Sequence, residues 1–273
     1  MKKLVVSLSA LAAFTGSALA ADMAPRYSKA PPPPPVAVAN WTGCYIGGGG
    51  GYGLWNQENT GFVDPPFVAV RTQQTTTATA GGRGYFGTVQ GGCDYQFPVG
   101  TYNFVIGGFA DYDFASLKGN VTIPGVVNPF PVTGVEKMSS AWSVGGRIGW
   151  IALPGLLTYF SAGYTEATFD RVNYFGNNVN FGLGPAGFYT GSKTYKGWFL
   201  GAGDEYALSF LPGLFWKTEY RFAEYDRAAN PFLATATGLT TGSSVDSQKW
   251  VHTVRSELVY RFNWGGGGVV AKY

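Results

Sequence analysis

The sequence contains few of the residues from which metal-binding sites are usually built. Of its 273 residues, one is histidine and two are cysteine. A single histidine excludes a site made of several histidine ligands, and two cysteines exclude both a zinc cluster and a disulfide-rich framework. We therefore predict no metal site and no cofactor.

Charge and long apolar runs are also scarce. Only 13% of the residues are charged, against ~25% in an average soluble domain, whereas 45% are hydrophobic and 16% aromatic. No basic patch indicates a nucleic-acid partner. After the N-terminal region no run of about eighteen apolar residues occurs, which excludes a transmembrane helix. Alternating strands that face lipid would bury this apolar surface without any continuous run.

The N-terminus has the order of a secretory signal peptide. Lys2 and Lys3 precede an apolar run over residues 4–14, and a small-x-small triplet ends at Ala20. This order predicts that residues 1–20 are a signal peptide, cleaved after Ala20. The apolar run is too short for the ~20 residues that a membrane-anchoring helix needs. Cleavage removes both lysines, so the formal charge falls from +3 to +1.

The next segment, residues 21–40, contains five consecutive prolines at 31–35. Proline lacks the backbone donor that a sheet requires, so we predict an extended, Pro/Ala-rich periplasmic linker. Residues 41–264 are predicted to form the folded domain, and residues 265–273 a C-terminal tail.

Alternation with a period of two is clearest in residues 250–262. The series that begins with Trp250 is mostly apolar, whereas the other series contains Arg255, Glu257 and Arg261. Such alternation predicts a β-strand between two different environments. Thirteen residues are more than the five or six of a usual strand, and they are enough to cross a bilayer, which takes about 9 to 11.

Eight candidate strands follow one another along the folded domain, and the gaps between them alternate strictly in length. Three gaps are short turns, and the other four hold 20 residues or more. Short periplasmic turns and long external loops are typical of outer-membrane barrels. We predict an all-β fold, an eight-stranded antiparallel up-and-down transmembrane β-barrel with four long external loops and three short periplasmic turns. The strands are expected at about 41–58, 84–98, 102–116, 138–153, 155–173, 195–210, 213–228 and 250–264.

The eight tryptophans fall near the ends of the predicted strands, where the amphipathic indole suits a membrane interface. We predict two aromatic girdles on the outer wall. The periplasmic one comprises Trp41, Trp150, Trp216 and Trp264, and the external one comprises Trp55, Trp142, Trp198 and Trp250. Asp204 also takes the lipid-facing register, where a carboxylate is costly, so either a β-bulge or a misplaced strand boundary is expected there.

Charged residues repeatedly occupy the opposite, inward series. They are Asp111, Asp113, Arg147, Glu205, Lys217, Glu219, Arg221, Arg255, Glu257 and Arg261. The interior of an eight-stranded barrel is just wide enough for side chains, whereas open channels need about 16 to 18 strands. Because buried charges are tolerated only when they are paired, we predict a neutral charge network that closes the lumen. A narrow or gated conduit is the alternative.

Several segments resemble the alphaproteobacterial outer-membrane immunogenic protein family. They are WTGCYIGGGGGYG at 41–53, VQGGCDYQ at 89–96, LPGLLTYFSAGY at 153–164, GWFLGAGDEYAL at 197–208 and VRSELVYRFNW at 254–264. The resemblance implies a small eight-stranded, porin-like barrel in the cell outer membrane that contributes to envelope integrity and is exposed to host immunity. It also implies that Tyr260-Arg261-Phe262 resembles the terminal signal for the barrel-assembly machinery. Eleven residues follow Phe262, so Phe262 and Tyr273 are alternatives for the residue that this machinery reads.

Two motifs suggest chemistry that their surroundings do not support. Residues 82–87 match the dinucleotide pattern G-x-G-x-x-G, but no helix follows, so we interpret the glycines as easing close strand packing. His252 lies on the outward series, and Val254 stands where lipid-A deacylase barrels carry a serine. We therefore predict no catalytic residues and no enzymatic activity.

Three functional hypotheses follow, in order of preference. The first is a surface-exposed barrel that contributes to envelope integrity, with outer-membrane lipid and lipopolysaccharide as partners. The second is a small-solute porin. The third is capture of haem or a host ligand by the loops, whose aromatic residues are Phe62, Phe67, Phe130, Phe175, Phe181, Phe188 and Phe232.

The two cysteines, Cys44 and Cys93, are expected near the periplasmic ends of neighbouring strands. An oxidising periplasm permits a disulfide, provided that the two Cα atoms lie within about 7 Å. The sequence leaves a disulfide and two free thiols as alternatives.

Overall fold

The structure, a computed structural model, describes residues 39–125, 131–178 and 182–262. The predicted signal peptide, the proline run, Trp264 and the C-terminal tail lie outside these residues. Within the described part of the chain, no helix is long and apolar enough to cross a membrane.

The described residues form eleven β-strands. In chain order they are β1 (Gly43–Val63), β2 (Thr72–Gln73), β3 (Ala78–Val99), β4 (Tyr102–Ile123), β5 (Val132–Leu153), β6 (Leu156–Phe169), β7 (Val172–Asn178), β8 (Gly182–Thr190), β9 (Lys193–Ala207), β10 (Leu214–Ala234) and β11 (Thr240–Phe262).

Eight of the strands close into one antiparallel barrel. The order around the wall is β1, β3, β4, β5, β6, β9, β10 and β11, and β11 pairs with β1 along almost its whole length. Within the described residues, the wall therefore closes on itself, and each of its eight strands has a partner on both sides. The predicted all-β, antiparallel outer-membrane barrel is confirmed, and the eight strands of the wall are consistent with the predicted number.

The pairing register shows how strongly the strands tilt. Following hydrogen-bonded partners from Trp150 in β5 once around the wall leads back to β5 at Ser140, ten residues away. A stagger of about 33 Å around eight strands spaced about 4.8 Å apart corresponds to a tilt of about 40°. A barrel of this geometry has an interior that side chains can fill completely.

Most barrel strands are far longer than a membrane requires. Six of them have 21 to 23 residues, against the about 9 to 11 that cross a bilayer. Much of the sequence assigned to external loops therefore continues the wall. In β4, for example, the residues after Leu117 extend the strand to Ile123.

The face that carries the apolar side chains changes from the outside to the inside where the wall leaves the membrane. In the lower part of β4 the outward series is apolar, with Ile106 50% exposed, and the inward series carries Asp111. Beyond it Lys118 faces outward, whereas Val121 and Ile123 face inward. Water surrounds the upper wall, so the apolar series moves to the inside.

The hairpin β7–β8 continues the wall above the two shortest barrel strands. β6 and β9 have only 14 and 15 residues. Above them β7 pairs with β5, β8 pairs with β10, and β7 and β8 pair with each other. The hairpin thus occupies the position between β5 and β10 that β6 and β9 hold lower down.

The opposite end of the barrel, called here the turn end, has three short connections. They contain Gly100, Gly155 and Gly213, whose φ angles are 61°, 85° and 85°. Glycine adopts this left-handed conformation without the steric cost that a Cβ atom brings. Tight reversals of the chain therefore occur at these three positions.

The structure corrects the predicted aromatic girdles. Trp142, Trp150, Trp198 and Trp216 lie on the outer wall and are 38% to 49% exposed, and Trp250 lies there partly buried. Trp41 and Trp55, by contrast, are 0% and 1% exposed inside the barrel. The prediction that Trp41 and Trp55 lie on the outer wall is therefore wrong. Five consecutive glycines in β1 show no alternation of side chains, so the sequence does not indicate which face each residue of this strand occupies.

The expectation of a β-bulge at Asp204 is also wrong. The ladders on both sides of β9 run through Asp204 without a register shift. Its carboxylate stays on the outer wall and accepts a hydrogen bond of 2.7 Å from the Thr158 hydroxyl of the neighbouring strand. This contact and a position close to the turn end reduce the desolvation of the charge.

Cys44 and Cys93 form a disulfide on the outer face. They stand directly opposite each other in the β1–β3 ladder, close to the turn end. Both residues are exposed on the wall, outside the lumen. The bond therefore fastens the glycine-rich β1 to its neighbour where few side chains are available to hold it.

We expect the disulfide to stabilise the barrel by about 2 to 4 kcal/mol, because it closes a loop with a sequence separation of 49 residues. Urea unfolding in detergent with and without reductant should show this difference. The variant Cys44→Ser/Cys93→Ser should have the same unfolding midpoint as the reduced wild type, and reductant should not change that midpoint. An unfolding midpoint that reductant leaves unchanged would contradict the expectation.

Candidate functional site

Buried ion pairs occupy the lumen at three levels, named here the lower, middle and upper tiers from the turn end upward. All ten charged residues predicted to face inward do so, and each is 0% to 6% exposed. Strand alternation accounts for this arrangement, because charges spaced by two residues share one face.

The lower tier is an alternating ring of two arginines and two carboxylates. Arg147 donates to Asp94 at 3.0 Å and to Glu205 at 2.9 Å. Arg261 donates to the same two residues at 2.7 Å and 2.8 Å. Four strands supply these residues, and both guanidinium groups use several donors, the geometry in which such bonds are strongest.

Aromatic rings surround the lower tier. The guanidinium carbons of Arg147 and Arg261 lie 4.9 Å and 4.7 Å from the centre of the Tyr45 ring. The backbone carbonyl of Trp41 accepts a further bond from Arg261 at 3.0 Å, and the Trp41 ring packs on Phe215. Cation–π contacts and these bonds offset the cost of removing the charges from water.

Asp94 is essential to this ring and was not predicted. The predicted inward charges lie on other strands, and none was predicted for β3. The signal was available, because Asp94 lies four residues after Gln90 and six after Thr88, and even spacing places all three on one face of a strand. All three are buried in the lumen.

The middle tier begins around Lys217. Its ammonium group lies 3.4 Å from Glu219 and 3.6 Å from Glu257, and donates to the Gln90 amide oxygen at 2.8 Å. The Gln90 amide nitrogen donates in turn to Glu257. The Tyr159 hydroxyl donates to Glu219 at 2.8 Å. Each carboxylate therefore has both a cation and a neutral hydrogen-bond donor.

Two arginines complete the middle tier. Arg221 pairs with Glu219 at 2.8 Å and with Asp111 at 2.9 Å. Arg255 pairs with Asp113 at 3.0 Å and lies 3.5 Å from Asp111. Because each arginine serves two carboxylates, the tier is one connected network rather than a set of separate pairs.

A small cavity lies directly above the middle tier. Its volume is about 20 Å³, and Asp113, Arg221, Arg255, Met138 and Val251 are among the residues that line it. This is room for about one water molecule, whereas sites for small ligands measure about 300 to 1,000 Å³. The cavity is too small to hold or pass a solute.

The upper tier joins Lys249, Glu136 and Gln57. Lys249 lies 2.7 Å from Glu136 and also donates to Gln57, whose amide donates to Glu136 at 2.7 Å. The Lys249 ammonium group lies 4.2 Å from the centre of the Phe169 ring and 4.9 Å from that of Tyr195. A buried lysine is thus fully enclosed by polar and aromatic partners.

The sequence analysis does not predict the upper tier, because its two charges lie in segments predicted to be external loops. Glu136 lies two residues before a predicted strand and Lys249 lies one residue before another, so both fall at the ends of predicted external loops. In the structure Glu136 is in β5 and Lys249 is in β11. With Asp94 they change the charge balance of the lumen. The five acids and five bases predicted become seven acids and six bases among the described residues.

Three aromatic rings cover the lumen at the end opposite the turn end, called here the loop end. Tyr174 of β7, Phe188 of β8 and Phe232 of β10 pack against one another with ring centres 5.2 Å to 5.6 Å apart. They are 4%, 4% and 1% exposed. We call this trio the aromatic cap, and it places an apolar core above the three ionic tiers.

Arg71 anchors the external loop between β1 and β2. It donates to Asp64 at 2.8 Å and to Asp246 of β11 at 2.6 Å, and it stacks on Phe62 at 4.0 Å. The hydrogen bond to Asp246 raises the pKa of Arg71 above its ordinary value. The loop is therefore fastened to the wall beside it.

His252 lies on the outer wall, apart from the ionic tiers. Its Nδ1 atom is 2.7 Å from the Tyr220 hydroxyl. Ser256 also faces outward, whereas Glu257 faces the lumen. These three residues therefore do not converge on one point.

A closed barrel with an apolar outer belt and an ionic interior defines an integral β-barrel protein of the cell outer membrane. No family model matches the chain. The chain is similar in sequence to the 31 kDa outer-membrane immunogenic proteins of Brucella melitensis and Brucella suis. It is 29% identical to each over 270 residues, which are 95% of this chain and 100% of the relative. The resemblance predicted from the sequence is confirmed.

Two outer-membrane proteins are among the solved structures that match the chain. OprG from Pseudomonas aeruginosa is 12% identical, with 82% of this chain and 99% of that chain covered and a TM-score of 0.48. The outer membrane protease OmpT from Escherichia coli is 11% identical, with 80% and 97% covered and a TM-score of 0.40.

Removing one arginine from the lower tier should be strongly destabilising. Arg261→Met leaves Asp94 and Glu205 with one cation between them, and we expect a loss of about 3 to 5 kcal/mol in the free energy of unfolding. Urea unfolding followed by tryptophan fluorescence in detergent measures this loss.

Two variants test the origin of that loss. Arg227→Met removes an exposed pair with Glu58 at 3.5 Å and should cost less than about 1 kcal/mol. Arg261→Met/Glu205→Leu keeps the charges of the tier balanced and should unfold less readily than Arg261→Met. An Arg261→Met barrel as stable as Arg227→Met would refute the assignment.

Proposed function

We propose that the protein is a structural, surface-displayed barrel that contributes to the integrity of the outer membrane and does not conduct solutes. The observation that carries this proposal is the filled lumen. Paired charges occupy it at three levels, and the aromatic cap covers them. A solute on its way through would have to separate buried ion pairs, and leaving either charge without its partner is energetically costly.

The small-solute porin is the alternative. It requires the tiers to separate at least transiently, which would break contacts such as those of Arg147 with Asp94 and Glu205. In an eight-stranded barrel no side pocket can store the displaced side chains. The closed lumen therefore has the stronger support.

Capture of haem or another ligand by loop aromatics has less support. Phe188 and Phe232 are buried in the aromatic cap, and Phe62 stacks on Arg71. Phe67 and Phe175 are 66% and 47% exposed. Phe130 and Phe181 lie outside the described residues. An exposed pair of rings is a smaller surface than a haem pocket requires.

Conductance across a planar bilayer tests the closed lumen. We expect the folded barrel to give no stable single-channel steps, because the tiers block the axis at each level. Stable steps whose size changes in Arg147→Gln or Glu219→Gln, but not in the exposed control Arg227→Gln, would favour the porin and overturn the proposal.

A deletion strain tests the contribution to the envelope. Loss of the chain should increase sensitivity to detergent and to a bulky antibiotic that an intact outer membrane excludes. The wild-type chain and Arg227→Gln should restore resistance, whereas Arg261→Met should restore less, because the barrel is less stable. Unchanged sensitivity in the deletion strain would count against a structural role.

A further inference from the structure

Three basic side chains stand side by side on the outer wall near the loop end. Arg83 of β3 is the cross-strand partner of Lys118 of β4, and Lys118 is the partner of Lys137 of β5. Arg83 and Lys118 are exposed, and Lys137 is half-buried. We call these three residues the basic row. Like charges directly opposite one another on a sheet repel, so the row is unfavourable unless an anion joins it.

The chain itself supplies little negative charge to the basic row. Within the described residues, one ion pair involves the row: the Lys137 ammonium group lies 3.8 Å from the Asp170 carboxylate. These two side chains are 34% and 44% exposed, so the pair is weak. The sequence at 126–130 and 179–181 contains no acidic residue. Other basic residues of the wall have acids beside them, as Arg227 has Glu58 and Lys196 has Glu166.

The basic row lies just outside the lipid-facing aromatic belt. Tyr85, Phe114 and Trp142 are outward-facing on the same three strands and are 75%, 62% and 39% exposed. The row is two to five residues farther toward the loop end. At a tilt of about 40° each residue rises by about 2.5 Å, so the charges lie roughly 5 to 13 Å beyond the rings. This is the depth of head groups in the outer leaflet.

The glycines of the G-x-G-x-x-G motif allow the strands that carry Arg83 and Lys118 to lie close together. A Cβ atom on Gly82 would lie 2.6 Å from the backbone carbonyl of Lys118, and one on Gly84 would lie 2.2 Å from that of Ser116. Both glycines therefore let β3 lie closely against β4. The motif keeps Arg83 beside Lys118.

We propose that the basic row binds the anionic, phosphate-bearing head group of the outer-leaflet glycolipid. Guanidinium and ammonium groups are the donors that phosphate oxygens prefer, and three on adjacent strands span about two strand spacings, or roughly 10 Å. The acyl chains of the same lipid would lie along Tyr85 and Phe114. This site is on the outer wall, so it does not depend on whether the lumen is closed.

Binding of purified lipid A to the folded mature chain in non-ionic detergent tests the proposal. Arg83→Gln/Lys118→Gln/Lys137→Gln should weaken binding by about tenfold or more, because several charge-assisted hydrogen bonds are lost. The control Lys193→Gln/Lys196→Gln/Arg227→Gln removes the same charge from β9 and β10 and should change binding less than about twofold. Heat-dependent gel mobility confirms folding of both.

The probes distinguish the source of the anion. Dephosphorylated lipid A should bind about tenfold more weakly to the wild-type chain and equally to both variants. Phosphatidylglycerol or inorganic phosphate binding as tightly as lipid A would overturn the assignment to the glycolipid, as would undiminished binding by the row variant.

Thermal stability provides a second readout that a merely structural role would not reproduce. Without lipid A, Lys118→Gln should raise the melting temperature, since it relieves repulsion from both neighbours. With lipid A it should lower the stabilisation that the lipid confers. A melting temperature that falls in both conditions would contradict the proposal.

Discussion

Pairing of charges between distant strands is the interaction on which this barrel depends. Eight strands with a ten-residue stagger enclose a space that side chains fill, so a charge in it is removed from water. Arg261 on β11 reaches Asp94 on β3 and Glu205 on β9, which lie on either side of the strand that carries it. These contacts can form only when β11 closes the wall against β1, so ionic pairing and barrel closure require each other.

The two environments of the wall explain its length and its pattern. Lipid requires the outward series to be apolar, and water above the membrane requires the inward series to be apolar instead. β4 meets both requirements in one strand, with Asp111 inside at membrane level and Ile123 inside above it. The aromatic cap is the continuation of this upper core, where β7 and β8 replace β6 and β9 in the wall.

Much of the architecture could be predicted because it depends on local periodicity. Strand alternation distinguishes lumen from lipid wherever large side chains alternate with charges, as in β10 and β11, and turn glycines mark the reversals. The prediction failed where this contrast vanishes. The glycines of β1 leave Trp55 without a phase, and the reversal above the membrane makes the strand around Glu136 look like a loop.

By itself the sequence determined the class of protein, the location, the strand number and the ten inward charges, because each follows from spacing along the chain. The tertiary structure decided which charges pair, that Asp94 and Lys249 join them, and that Cys44 meets Cys93. Those facts depend on the register between segments that are far apart in the chain; Trp41 and Arg261, for example, are 220 residues apart. Register arises from the packing of the whole wall, and no single segment encodes it.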